Sequence, residues 1–491
     1  MRRPANRSVK SAGSNNWEEL CARYLPIVSL NSIWRFSRQQ LETDPDQGWK
    51  LHVSATVLSA ARVMRAVAPF LHRREILFKG PNSLQELDRL NSGIFYGYSQ
   101  IGKFLTIYPR TTDEAVALAQ DLHRLTRGIP APSVPFDFRF ASHGCVYYRY
   151  GGFKEIQDPS GEHEFALRDP NGNFIADVRD VRAAPDWAPD PFKHRPQRSR
   201  PSEPPEKIPF KAFRALGQRG RGGVYQAIDL SVEPARLCIL KQGRKLGELS
   251  WDGRDGFWRV RHEGKVLSSL QDSGVKVPRV CSSFSTHKSY YIAIEFIQGE
   301  TLEQWLTRRR RRLPLTGALE RSIEISKLIS SIHAAGWVWR DCKPRNIILS
   351  SSGELRPLDF EGACPIKKPD PLPWGTSSYI SPEASAKFEG RSRLPEDLYA
   401  LGVVIYLLLS GRTPDHVDSQ PLGKSRRNIP STVTKIVMDL LDSNPAKRPQ
   451  AATVATSLKA ALLKFSREKY QGKSPTRRAR SLNRASLRKS S

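Results

Sequence analysis

One stretch constrains this chain more than any other. It runs Trp339-Arg-Asp-Cys-Lys-Pro-Arg-Asn346, then an apolar Ile347-Ile-Leu349, a turn, and Leu358-Asp-Phe-Glu361. Transfer of a phosphoryl group needs a carboxylate to orient the attacking hydroxyl, a cation near the moving group, and oxygen ligands for Mg2+. Asp341 would orient the hydroxyl, Lys343 would meet the γ-phosphate, and Asn346 with Asp359 would hold the metal. Each residue type is common in polar loops. Their combination at this spacing, split by an apolar strand, is not.

The 491 residues allow two or three domains, and 39% hydrophobic with 26% charged residues describe a globular chain. A formal charge of +29 and a pI near 10.1 call for acidic partners: nucleotide, phosphopeptide, nucleic acid or an anionic membrane surface. The six cysteines, at 21, 145, 238, 281, 342 and 364, form no Cys-x-x-Cys pair. That spacing offers no zinc site and fits a reduced, cytoplasmic setting. The basic start lacks the apolar core of a signal peptide, and the longest apolar run, Tyr399 to Leu409, is too short for an integral membrane segment.

Residues 1–40 read as a polar tail and a helix through Trp17, Leu20, Cys21 and Leu25, and a first α+β domain is expected over 41–192. Trp49-Lys50-Leu51-His52-Val53-Ser54 alternates as a strand, with Lys50 and His52 on one face. Further strands are expected over Glu75–Lys79, Lys103–Tyr108 and Val146–Phe153, with helices between them and a hairpin-like region with turns at 158–161 and 169–172. Lys50, His52, Lys79, Lys103 and Arg149 all sit among apolar or aromatic neighbours. An unpaired cation is costly there, and a dianionic phosphate would satisfy all five together.

The motifs Trp-Lys-Leu-His-Val-Ser, Phe-Lys-Gly, Gly-Lys-Phe-Leu-Thr-Ile-Tyr-Pro and Tyr-Arg-Tyr-Gly-Gly-Phe resemble the phosphoserine/phosphothreonine lyase domain of class III and IV lanthipeptide synthetases. More distantly they are similar to the phosphothreonine lyases that bacterial pathogens inject into hosts. The resemblance implies that Lys79 takes the α-proton, that His52 protonates the leaving phosphate, and that Lys50, Lys103 and Arg149 hold it. Lysine serves as a base only when burial or neighbouring cations lower its pKa, and His52 stays protonated only with phosphate as its counter-charge.

A Pro-, Arg- and Ser-rich linker over 193–209 precedes a second domain expected over 210–463. Gly217, Gly220, Gly222 and Val224 lie in a segment that resembles the nucleotide-covering loop of protein kinases, at altered spacing, where glycines let backbone N–H groups approach phosphates. The resemblance extends to Lys241 as the lysine meeting the α- and β-phosphates, with Glu263 its expected ion-pair partner. Tyr290–Gly299 resembles the strand and hinge that bind the adenine edge through backbone near Glu295, behind which Ile294 sits. Gly375–Glu383 resembles the end of an activation segment, Asp397–Gly402 the helix anchoring the catalytic loop, and Arg448 would pair with Glu383. Two departures stand out: Trp339 replaces the family's histidine, and Glu361 replaces the glycine after Asp-Phe.

These features lead to an α+β chain, a lyase-like domain followed by a bilobal protein-kinase fold, using ATP (or GTP) and Mg2+. The expected activity is phosphorylation of Ser and Thr in a precursor peptide with a leader region, then elimination to dehydroalanine or dehydrobutyrine. The residues after 463 form a basic tail, through which alone nucleic acid would bind, and are too few for a cyclase domain, so a separate cyclase is an expected partner. Arg308 to Arg312 reads as a solvated helix end ahead of a dock for the leader. The alternatives are a signalling Ser/Thr kinase whose first domain recognises phosphopeptides, and a pseudokinase scaffold.

Overall fold

The computed structural model describes residues 11–29, 32–192, 208–309, 311–386, 388–412, 422, 426 and 428–471. The linker before residue 208, most of its length, and the tail after 471 lie outside them. The chain divides into two compact units, one of residues up to Arg261 with Ser282–Ala293, the other of His262–Cys281 with Ile294 onward.

In the first unit a seven-stranded sheet is built from β1 (Ile27–Val28), β2 (Trp34–Phe36), β3 (Gln47–Val53), β4 (Leu77–Pro81), β5 (Leu105–Tyr108), β6 (Phe138–Arg139) and β7 (Val146–Gly152), in the order β1-β2-β4-β5-β3-β7-β6. Every pairing is antiparallel. Its register decides what each face carries. Lys79 lies opposite Thr106, Thr106 opposite His52, and Lys50 opposite Arg149. Residues directly across a ladder share a face, so one face gathers the cations. The other carries Leu51, Val53, Phe78, Leu105, Ile107 and Val146, all buried in one apolar core.

Helices α1 (Ser11–Tyr24), α2 (Ala60–Arg73), α3 (Leu84–Ser92) and α4 (Thr112–Leu125) accompany this sheet. Val63, Met64, Val67, Ala68 and Leu71 of α2 recur at helical spacing and are buried. The Ser83 and Thr111 hydroxyls cap α3 and α4 by accepting from the N–H groups of Glu86 and Glu114. Strands β8 (Ala166–Arg168) and β9 (Phe174–Ala176) form a hairpin about the 169–172 turn, where Gly172 adopts φ +86°. The 158–161 turn joins no strand pair; Asp158 organises it as a loop by accepting from Ser160 and His163.

The same unit contains most of a five-stranded sheet of order β10-β11-β12-β14-β13, from β10 (Phe210–Arg219), β11 (Gly222–Asp229), β12 (Arg236–Arg244), β13 (Val280–Ser285) and β14 (Ser289–Glu295). Helix α5 (Gly256–Asp272) is shared between the units. The second unit is mainly helical, with α6 (Leu302–Arg308), α7 (Leu315–Ala334), α8 (Leu394–Ser410), α9 (Ser431–Leu440) and α10 (Ala451–Gln471). Helix α7 packs against both α8 and α10. Short strands β15 (Gly299–Thr301), β16 (Trp337–Val338), β17 (Ile347–Ser350), β18 (Leu355–Pro357) and β19 (Cys364–Pro365) frame its polar loops. Among the described residues no helix is long and apolar enough to cross a membrane.

Several boundaries differ from the sequence-based expectation. Residues 17–40 belong to the first domain: β1 and β2 extend its sheet, and Trp17, Cys21 and Leu25 are buried in its core. Strand β4 starts at Leu77 because Glu75 takes the left-handed φ of +54°. Strand β5 starts at Leu105, after a turn in which Gly102 has φ +76°. Strand β12 is half-buried, with Leu237 53% exposed. Helix α10 continues past residue 463 to Gln471, since Leu458, Ala461, Leu462 and Phe465 keep its apolar spacing. Arg308 closes α6 and pairs with Glu300, and Arg309 lies over the Trp305 ring, so these two occupy a helix end; Arg310 lies outside the described residues.

Trp17 is 2% exposed, and its ring centroid is 5.7 Å from that of Phe104. Trp17→Ala should therefore cost the first domain about 3–5 kcal/mol. Urea denaturation followed by circular dichroism checks this, and an effect under about 0.5 kcal/mol, typical of surface positions, would return α1 to a detachable tail.

Candidate active sites

The first site is the cationic face of the seven-stranded sheet. Lys50, His52, Lys79, Lys103 and Arg149, with Arg179, line one cavity of about 620 Å³. Lys50 and His52 come from β3, Lys79 from β4 and Arg149 from β7. Lys103 arrives from the turn before β5, which Asn91 Oδ1 fixes by accepting from the Gly102 N–H at 3.1 Å.

Three groups that the sequence reading gave no role hold this face together. Asp137 Oδ2 lies 2.5 Å from His52 Nδ1, and Asp137 Oδ1 is 3.5 Å from Lys103 Nζ. Asp177 Oδ1 accepts from Arg149 at 2.6 Å, and Arg179 Nε lies 3.5 Å from Asp177 Oδ2. Asp137 carries no local signal in the sequence. Its partner is 85 positions away in sequence. Lys50 donates to the Gly152 carbonyl at 2.5 Å, and Lys79 Nζ lies 4.6 Å from the centroid of the Trp34 ring.

Burial sets the protonation. It lowers Lys79 to about 8, with Arg179 and Lys103 adding to the effect. It lowers Lys50 well below the usual lysine range against the pull of Asp177, and lowers Lys103 against Asp137. His52 falls to about 4 through burial, which outweighs the attraction of Asp137. Burial works to raise Asp137, but Lys103, His52 and Arg149 outweigh it and hold its carboxyl below the ordinary value. At neutral pH His52 is therefore uncharged, with Nδ1–H placed to donate to Asp137 and Nε2 available to take a proton beside an anion.

The second site lies in the second unit. Asp397 of α8 accepts from the main-chain N–H groups of Trp339 and Arg340, at 2.8 and 2.6 Å, and from His333 Nε2 at 2.9 Å. This carboxylate holds the loop that presents Asp341. Lys343 Nζ donates to Asp341 Oδ2 at 2.7 Å and to Thr376 Oγ1 at 2.6 Å, and Thr376 donates to Asp341 Oδ1 at 3.0 Å. Thr376 follows Gly375 in a quoted motif and had no assigned role. Asn346 Nδ2 donates to the Asp341 carbonyl at 3.0 Å and to its Oδ2 at 2.7 Å, which leaves Asn346 Oδ1 as an acceptor. Burial raises the Asp341 carboxyl, with Lys343 opposing and Asp359 adding to the rise.

The two departures from the kinase pattern have structural consequences. Trp339 is fully buried, and its indole N–H donates to the Leu358 and Asp359 carbonyls, both at 3.1 Å, while its ring stacks on Phe360. It thus ties the catalytic loop to the Asp359 segment. Arg340 and Asp359 both take left-handed φ, +69° and +62°, a strain that the surrounding hydrogen bonds sustain. Glu361 is buried and offers a carboxylate oxygen within 4.8 Å of ligand atoms of Asp359 and Glu263. A divalent cation fits this oxygen-rich set, which would hold it with Asn346 Oδ1.

The remaining nucleotide residues sit as follows. Val224 of β11 lies opposite Lys241 of β12. Gly222 has φ +155°, and a Cβ there would come within 1.7 Å of the Gln242 carbonyl. Gly217 is on β10 beside a bulge. The Gly220 N–H donates to the Ser92 carbonyl at 3.0 Å, and a Cβ would meet the Asn91 carbonyl at 1.7 Å. Packing against the chain end of α3 by itself requires glycine there. In the second unit, Glu263 Oε1 accepts from the Phe360 N–H at 3.1 Å. Glu295 donates its N–H to the Arg279 carbonyl at 2.8 Å, and its carboxylate takes Arg279 N–H and Arg356, each at 3.1 Å. Arg448 meets both carboxylate oxygens of Glu383, at 2.5 and 2.9 Å.

Comparison with known proteins finds two family matches along the chain. Residues 27–204 match the RamC N-terminal domain, and residues 210–458 match the protein kinase domain. A probable SapB synthase of Streptomyces coelicolor is 30% identical over 65% of this chain and 35% of its own length. Serine/threonine-protein kinase D of Synechocystis is 27% identical over 50% of each chain, and the kinase pkn2 of Myxococcus xanthus is 30% identical over 51% of this chain and 32% of its own length. The chain thus spans half or less of these curated relatives. With a matched kinase domain covering half of its length, its own RamC-type domain ahead of it, and the Asp341 loop in place, the chain belongs to the protein kinase family.

Proposed function

We propose that this protein is a bifunctional peptide dehydratase of the lanthipeptide type. Its kinase domain phosphorylates Ser or Thr of a precursor peptide carrying a leader region, and its first domain eliminates the phosphate to leave dehydroalanine or dehydrobutyrine. The observation that carries this reading is the convergence of Lys50, Lys79, Lys103, Arg149 and His52, with Lys79 lowered to about 8, on one cavity of a chain that also holds a kinase catalytic loop. A phosphopeptide-binding domain needs the cations but has no use for a lysine poised to lose its proton. The reduced, scattered cysteines suit a cytoplasmic setting.

In the phosphorylation step Asp341 orients the peptide hydroxyl, and Lys343 neutralises charge on the transferring group. Asn346 and Asp359 would hold Mg2+, which would supply positive charge against the phosphate oxygens of ATP. In the elimination step neutral Lys79 takes the α-proton. Its electron pair forms the Cα=Cβ bond as the Cβ–O bond breaks, and His52 gives a proton to the departing phosphate, which Lys50, Lys103 and Arg149 hold. Phosphorylation makes the leaving group, and tethering the two sites keeps the intermediate concentrated.

Mass spectrometry of a candidate precursor peptide after incubation with ATP and Mg2+ tests this. The wild-type protein should remove one water per modified residue, Lys79→Met should accumulate phosphopeptide with elimination down at least about a hundredfold, and Asp341→Asn should yield neither product. Stable phosphorylation by the wild type would instead make this a signalling kinase.

The His52 protonation state gives a separate check. In the free protein its imidazole NMR resonance should stay at the neutral position as pH falls from 7 to about 5, because its pKa lies near 4. Saturating inorganic phosphate should raise that pKa by at least about one unit, since a bound dianion favours the charged ring. An unmoved titration would remove His52 from the phosphate site.

A further inference from the structure

Protein kinases commonly order their activation segment by phosphorylating it, the new phosphate pairing with arginines near the catalytic loop. In this chain the arginine before the catalytic aspartate is already engaged. Arg340 Nε donates to Glu396 at 3.2 Å, its Nη1 lies 3.7 Å from Asp370 Oδ2, and its guanidinium also donates to the Gly362 and Leu372 carbonyls. Arg393, at the start of α8, completes the arrangement. It donates to the Asp370 carbonyl at 2.8 Å, to the Pro371 carbonyl at 2.9 Å and to Glu396. Asp370 Oδ1 in turn accepts from the Leu372 N–H at 2.9 Å.

Two guanidinium groups thus meet two carboxylates, and the arginine side chains are 1% and 0% exposed. Both arginines and Glu396 are buried, and Asp370 is partly covered beside them. A phosphate dianion entering this cluster would have to displace Glu396 or Asp370, leaving that carboxylate without its arginine. Ser377 and Ser378 of the same segment are exposed, while Thr376 is tied to Asp341 and Lys343.

We propose that Asp370 and Arg393 are positioning residues for phosphoryl transfer. Through Arg340 they hold the catalytic loop and the activation segment in working order, with the Asp370 carboxylate in the role that a phosphorylated residue plays elsewhere. The kinase is then competent as synthesised and takes no activating phosphate. The proposal rests on membership of the kinase family and not on the elimination reading, so the two fail separately.

The full chain, produced with a broad-specificity protein phosphatase and shown by intact mass to carry no phosphate, is assayed for steady-state ATP hydrolysis with Mg2+. It should turn over within about twofold of the untreated protein, whereas Asp370→Asn should lose roughly tenfold in kcat with KM for ATP within about twofold, and Asp370→Glu should recover most of the loss. A phosphate-free protein that is inactive, or that gains roughly tenfold on preincubation with ATP, overturns the proposal. So does an Asp370→Asn variant with full kcat. The phosphatase comparison uses the unaltered chain and decides the matter even if a variant fails to fold.

Discussion

Cations on a buried face of a sheet are unfavourable unless something negative meets them, and the first domain is shaped by that constraint. Lys50, His52, Lys79, Lys103, Arg149 and Arg179 reach one cavity, and the buried carboxylates that answer them are Asp137 and Asp177. Burial settles the balance by stripping charge from His52 and lowering the lysines. A phosphorylated residue entering the cavity would bring the missing negative charge. In the proposed elimination, binding and chemistry are coupled, because the anion that would restore charge to His52 is the group that His52 would protonate as it leaves.

The second unit solves the opposite problem. Its catalytic loop is crowded with carboxylates, and hydrogen bonds fix Asp341 and Asp397 among them. Asp397 pins the backbone ahead of Asp341, Trp339 ties that backbone to the Asp359 segment, and the Arg340 and Arg393 pair fastens the segment beyond. The indole at 339 keeps a polar link to the neighbouring segment by donating to two carbonyls. Charged groups held in place beforehand need no reorganisation at the moment of transfer, which is where electrostatic catalysis gains most.

Much of this was legible in the sequence because short spacing encodes it. The alternation of Lys50 and His52, the segment from Asp341 to Asp359, and the pairing of Glu383 with Arg448 all follow motifs whose residues keep fixed geometry. What stayed hidden depends on register and on partners far apart in the chain. Asp137 meets His52 only because β6 pairs with β7 and β7 with β3, and no local pattern marks it. Thr376 and Asp370 lie in a loop whose path the catalytic arginine decides. At Gly220, packing against the end of α3 and flexibility for phosphate call for the same residue, so the sequence shows only one of the two reasons.

The central claim is that the first domain eliminates phosphate by itself. A synthetic phosphoserine peptide given to the protein without nucleotide, followed by phosphate release and peptide mass, tests it most directly. The account predicts stoichiometric inorganic phosphate with dehydroalanine in the peptide, and loss of both in Lys79→Met. Phosphate release that regenerates serine, or a peptide returned unchanged, would contradict it.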